Sequence, residues 1–156
     1  MSELTVPNKK IIAIDVDRVL GPYISAVFTT VKPYNGAIEG VAKLKQKYDL
    51  QVITARHPFF KRATIRWIRK YFPNDFTAVD FVHYKTPFGP RNHKSAICKR
   101  IGAEIILDDK ISNAIDCSDR GIKVYLFGEH NIHRRNHLPD GVTWVKDWSD
   151  VVSELI

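Results

Sequence analysis

The sequence predicts an α/β fold, a three-layer α/β/α arrangement around a doubly wound parallel sheet, with no large cap domain. Three observations carry this expectation. The run Ile11-Ile12-Ala13-Ile14 is apolar without alternation and stops at two carboxylates, Asp15 and Asp17. A strand of that kind is buried on both faces, as in parallel sheets. Short β-prone runs then alternate with helix-like stretches along the chain, which implies crossover connections between parallel strands. Finally, the polar residues that stand out follow those apolar runs, where open α/β sheets bind ligands.

The first strand is read at 10–16, from the apolar run itself. A helix follows at 37–48 and a strand at 50–54, within Val52-Ile53-Thr54-Ala55-Arg56. The stretch 59–71 places aromatic and aliphatic residues at helical spacing, with Lys61, Arg62, Arg66, Arg69 and Lys70 between them. It reads as an amphipathic helix with a basic, solvated face, its Trp67 and Tyr71 packing inward. A short strand is expected at 79–83. A helix at 94–101 is closed by Gly102, a residue suited to a C-terminal cap. A strand at 104–107, a helix at 112–117 and a strand at 122–127 come next. A polar loop covers 128–141, an edge strand 142–145, and a last helix 149–155. The pattern is Rossmann-like, without repeats, linkers or low-complexity tracts.

The length, 156 residues, suits one domain over 1–156. With 44% apolar and 26% charged residues, the composition is that of a globular chain and argues against disorder. No apolar segment approaches a membrane span, so no membrane partner is expected, and the polar first ten residues lack the core of a signal peptide. Cys98 and Cys117 have no metal-like spacing and make no disulfide scaffold, so a reducing cytoplasm is the expected compartment. The formal charge of +7 favours anionic partners, nucleic acid among them.

Four features line up along one sheet edge: Asp15 and Asp17 after the first strand, Thr54 at the end of the second, Lys94 opening a helix after a polar loop at 88–93, and Asp108 and Asp109 after Ile105-Ile106-Leu107. Singly each has an ordinary reading: a turn-capping Asp, a β-branched strand residue, a solvated lysine, a helix cap. Jointly they are the equipment for phosphoryl transfer. A carboxylate can act as nucleophile, a second can move a proton, and a cation with an ammonium can neutralise phosphoryl oxygens. Paired carboxylates at a strand end invite a hard cation such as Mg²⁺.

This set, in this order, resembles the haloacid dehalogenase superfamily, and more narrowly its 5′(3′)-deoxyribonucleotidase-like branch. The narrower likeness lies in Ile106-Leu107-Asp108-Asp109-Lys110 with Asn113, and in a tail carrying Phe127, Asn131 and Trp148. The resemblance implies Asp15 as nucleophile and Asp17 as general acid/base. It implies Thr54 and Lys94 as phosphate-binding residues. Mg²⁺ would be held by Asp15, Asp17 through its carbonyl, and Asp109, with Asp108 behind them as a partner of Lys94; which of Asp108 and Asp109 is the direct ligand stays open.

There are two departures. Arg18 stands where the family usually has glycine, and segment 21–33 is too short for the usual helical cap. By resemblance, capless members have open sites for bulky substrates or borrow a cover from a second copy, so a homo-oligomer is one expectation. The substrate rim would consist of Arg18, Arg56, Arg134 and Arg135. His130, His133 and His137 lie near those last arginines without convincing zinc geometry, and the stretch reads as a solvated or anion-facing loop. The expected activity is Mg²⁺-dependent phosphomonoester hydrolysis, on a phosphorylated small molecule, a nucleotide or a nucleic-acid end. The competing expectation is a non-catalytic nucleic-acid- or protein-binding module on the same fold.

Overall fold

Six strands are present in the computed structural model, which describes residues 8–26, 30–82 and 93–156. They are β1 (Ile11–Ile14), β2 (Asp49–Thr54), β3 (Ala78–Phe81), β4 (Ala103–Asp108), β5 (Lys123–Phe127) and β6 (Val142–Val145). Five helices connect or follow them: α1 (Ala37–Lys47), α2 (Lys61–Tyr71), α3 (Lys94–Ile101), α4 (Ile111–Asp119) and α5 (Trp148–Leu155). All strand pairs are parallel, in the order β3-β2-β1-β4-β5-β6. The order reverses direction between β1 and β4, and that switch point is where a doubly wound sheet opens a crevice. The end of the strand read at 79–83 and most of the loop read at 88–93 lie outside the described residues. No helix among the described residues is long and apolar enough to cross a membrane.

Two cores flank the sheet, as alternation along buried strands requires. Ile12, Ile14, Leu107, Tyr125 and Phe127 face one core, together with Val41 of α1, Trp67 of α2 and Val151 of α5. Ala13, Ile53, Ile106, Val124 and Leu126 face the other, with Ile97 and Cys98 of α3 and Ala114 and Cys117 of α4. Gly40 of α1 is what lets α5 approach: a Cβ there would lie 2.5 Å from Cε3 of Trp148. Trp148 is fully buried and its Nε1 donates to the Val19 carbonyl at 2.8 Å, tying α5 to the loop that carries Asp17.

The structure corrects two sequence readings. The strand read at 10–16 ends at Ile14. Asp15 N still donates to Leu107 O at 3.0 Å, but the Val16 carbonyl then accepts from the amides of Val19, Leu20 and Gly21, so the chain turns sharply. Val16, Val19 and Leu20 are apolar because they fill the core beneath this turn. The polar loop read at 128–141 begins with a 3₁₀ helix, Glu129–Arg134, in which Asn131 is buried.

Candidate active site

Asp15, at the end of β1, and Asp108 and Asp109, at the end of β4, meet across the neighbouring strands. One carboxylate oxygen from each lies within 4.8 Å of the others. Lys94, the first residue of α3, reaches between two of them. Its Nζ is 2.9 Å from Asp15 Oδ2 and 2.7 Å from Asp108 Oδ2. Three buried carboxylates therefore face one buried ammonium. Burial pushes the Asp15 carboxyl up to about 7, against the pull of Lys94. Burial, reinforced by Asp108, raises Asp109 as well, against His130 and Lys94. Burial works to lower the Lys94 pKa, but Asp108 and Asp15 overcome it and hold the ammonium above its ordinary value.

The two adjacent aspartates are not equivalent. Asp108 is saturated: Lys94 and Asn113 donate to Oδ2, and Asn113 and the Lys110 amide donate to Oδ1. Asp109 lies beside His130, whose Nε2 is 3.4 Å from its Oδ2, and lines a cavity of about 640 Å³ together with Asp15, Asp17 and Lys94. Its backbone is fixed from behind by Asn131, whose Nδ2 donates to the carbonyls of Asp109 at 2.8 Å and Phe127 at 3.0 Å. The donor set fits a hard cation: all oxygen, anionic in excess, and with capacity left on Asp15 and Asp109.

The other residues singled out in the sequence divide between the cavity and its surroundings. The Asp17 carboxylate is outside the three-carboxylate cluster and is bound to Arg56, with Nη2 2.7 Å from Oδ1. Thr54 is fully buried, its Oγ1 accepting from the Arg56 amide at 3.2 Å, and it is not among the side chains lining the cavity. Arg56 is not on the rim: it is 3% exposed and belongs to the wall. Arg134 reaches the cavity, whereas Arg135 lines a separate depression beside Thr143 and Trp144. His130, read as part of a solvated loop, and Asn131, singled out by the resemblance, turn inward onto Asp109. Gly128, with φ 107, is the one local signal of the turn that delivers them.

Arg18 is exposed, lines the cavity and has φ 61, in the left-handed region that suits glycine. An L-residue there costs roughly 1 kcal/mol. Arg18→Gly is therefore expected to raise stability by up to about 1 kcal/mol, a gain trimmed by the flexibility glycine adds to the unfolded chain. Arg18→Ala, which keeps the Cβ, should bring no such gain. Thermal unfolding of both variants checks this; equal melting temperatures would mean that the strain is already relaxed.

No family model matches the sequence, and no curated protein matches it. Solved structures do resemble it. A haloacid dehalogenase-like hydrolase from Streptococcus pneumoniae superposes with a TM-score of 0.64 at 13% identity, covering 95% of this chain and 99% of that one. A haloacid dehalogenase-superfamily hydrolase from Geobacter sulfurreducens gives 0.63 at 12%, covering 94% and 100%. A chain of the Pnkp1/Rnl/Hen1 RNA repair complex gives 0.54 at 16%, covering 79% of this chain and 43% of that one. Likeness at these identities is a likeness of fold.

Proposed function

We propose that this chain, which has the fold of the haloacid dehalogenase-like hydrolases, is a Mg²⁺-dependent phosphomonoester hydrolase working through an aspartyl-phosphate. The observation that carries the reading is Lys94 bridging Asp15 and Asp108 at the sheet's switch point, with Asp109 beside them. In the first half-reaction an Asp15 oxygen attacks phosphorus, the ester P–O bond breaks, and Asp17, which enters the cycle in its protonated form, gives its proton to the leaving oxygen. In the second, water attacks phosphorus, its proton passes to Asp17, and the Asp15–phosphorus bond breaks. Lys94 neutralises phosphoryl oxygens and keeps Asp15 oriented. Asp15 and Asp109 would hold the metal ion, together with the Asp17 carbonyl; when bound, the ion supplies positive charge to the phosphoryl group. We read residues 1–156 as one catalytic unit. The buried free thiols of Cys98 and Cys117 support a reducing, cytoplasmic setting.

We further propose nucleotides or nucleic-acid ends as substrates, as in the deoxyribonucleotidase-like branch. The net charge of +7, the open cavity edged by Arg18 and Arg134, and the similarity to a component of an RNA repair complex support this. The test is phosphate release, with Mg²⁺, from 4-nitrophenyl phosphate, nucleoside monophosphates, and oligonucleotides phosphorylated at either end. kcat/KM for the oligonucleotide should fall with salt more steeply than for the aryl ester. Arg134→Ala should flatten that difference and spare aryl ester hydrolysis. Equal salt slopes would reject the nucleic-acid preference; no release from any ester would leave the non-catalytic binding module.

A further inference from the structure

We infer that Arg56 is the residue that positions Asp17 for its proton transfers, an inference that rests on the hydrolase reading above. The Arg56 side chain is fully buried while that of Asp17 is 21% exposed at the cavity. Nε donates to Asp17 Oδ1 at 3.0 Å and Oδ2 at 3.1 Å, and Nη2 donates to Oδ1 at 2.7 Å. The guanidinium is itself anchored on two further sides. Nη2 donates to Ser25 Oγ at 2.7 Å, in the 3₁₀ turn Tyr23–Ala26, and Nη1 donates to Thr64 Oγ1 at 3.1 Å, in α2. Its main-chain amide is bonded to Thr54 Oγ1, at the end of β2.

An arginine held this way is not a mobile cation waiting for a substrate phosphate. Its planar fork is fixed from two elements, and the fork in turn fixes both oxygens of one carboxylate. A carboxyl group on a loop has two side-chain torsions to lose. Proton transfer requires its oxygen within about 2.6–3.2 Å of the reacting oxygen. Buried anchoring of Asp17 by Arg56 removes that freedom before substrate arrives. Arg56 does not touch the reacting atoms, so its contribution passes through Asp17 alone.

That route gives a signature. kcat/KM reports events up to phosphoryl transfer onto Asp15, including protonation of the leaving oxygen but not the later attack by water. A basic alkoxide needs that proton; 4-nitrophenolate, a good leaving group, needs it little. Benzyl phosphate and 4-nitrophenyl phosphate therefore make a matched pair, each with one ring and one phosphate.

Arg56→Ala should lower kcat/KM for benzyl phosphate by about 10²–10³-fold, and for 4-nitrophenyl phosphate by less than about tenfold. Ser25→Ala, which loosens the fork without touching Asp17, should skew the ratio in the same direction by a smaller factor. Arg56→Lys should recover little of the loss, because a point charge cannot hold both oxygens. Added guanidinium should restore benzyl phosphate hydrolysis in Arg56→Ala preferentially. Should Arg56→Ala fail to fold, Ser25→Ala and Arg56→Lys carry the same comparison. Equal losses for the two esters in the folded variants would assign Arg56 to the scaffold and overturn the inference, leaving the hydrolase reading intact. A wild-type protein that hydrolyses neither ester overturns both.

Discussion

Asp15→Asn is expected to abolish turnover, with a loss on the order of 10⁶-fold, the scale on which covalent mechanisms fail without their nucleophile. An amide oxygen or nitrogen does not displace an alkoxide from phosphorus at a useful rate. The substitution is close to isosteric, and it should not unfold the chain. Asp15 is one of two carboxylates on Lys94, and Asp108 retains the other contact at 2.7 Å. The Val16 amide donates to Asp15 Oδ1 at 2.8 Å, a bond that an asparagine oxygen also accepts, at the cost of turning the asparagine NH2 toward Lys94, which then keeps Asp108 as its acceptor. Burial pushes the Asp15 carboxyl up, so removing its charge offsets the lost contact with Lys94, and the variant should stay folded. Acid-quenched labelling with a radioactive phosphomonoester separates the two aspartates. Wild type should trap label on protein, Asp17→Asn should trap it slowly, and Asp15→Asn should trap none. Label on Asp15→Asn, or full activity in it, would reject covalent catalysis by this residue.

The parts of this molecule that were legible from its sequence are those whose chemistry is local. The helix at 94–101 ends where Gly102 adopts φ 75, and the edge strand at 142–145 falls on its β-branched residues. Asp15, Lys94, Asp108 and Asp109 were legible because strand and helix ends in a parallel sheet converge on one edge. The glycine expected in place of Arg18 pointed to a backbone position that does have positive φ.

What escaped is tertiary. Arg56 read as a rim cation because its partners, Ser25 and Thr64, lie 31 and 8 residues away, and neither carries a motif. Thr64 sits among the arginines of α2 and looks like a neutral helix position. Thr54 read as a phosphate donor from its place at a strand end, yet its hydroxyl is fully buried and bonded to the Arg56 amide. His130 read as loop because polar residues after Gly128 suggest solvent, and the likeness that singled out Asn131 gave it no contact. A buried side-chain amide that replaces strand pairing for two carbonyls leaves no periodic trace.

Mg²⁺ is expected to raise the melting temperature of the wild-type protein, and Asp109→Asn to remove that response. Ligand at about 100 times its dissociation constant stabilises by about 2.7 kcal/mol, which for a chain of this size amounts to roughly 5–10 °C. The cause lies in the charges: three buried carboxylates within 4.8 Å share one lysine, and burial together with Asp108 raises the Asp109 carboxyl. A divalent cation relieves that excess; so does deleting one of the charges. Asp109→Asn should thus melt no lower than the metal-free wild type, lose its Mg²⁺ shift and lose activity. Asp108→Ala should behave otherwise. It strips Lys94 of its 2.7 Å partner and leaves the Lys110 amide and Asn113 without their acceptor, so it should destabilise the metal-free protein by about 3 kcal/mol. Calorimetric titration with Mg²⁺ and thermal unfolding of both variants separate the two roles. An undiminished Mg²⁺ shift in Asp109→Asn would move the metal off this residue, and an Asp108→Ala protein as stable as wild type would mean that Asp15 alone suffices to hold Lys94.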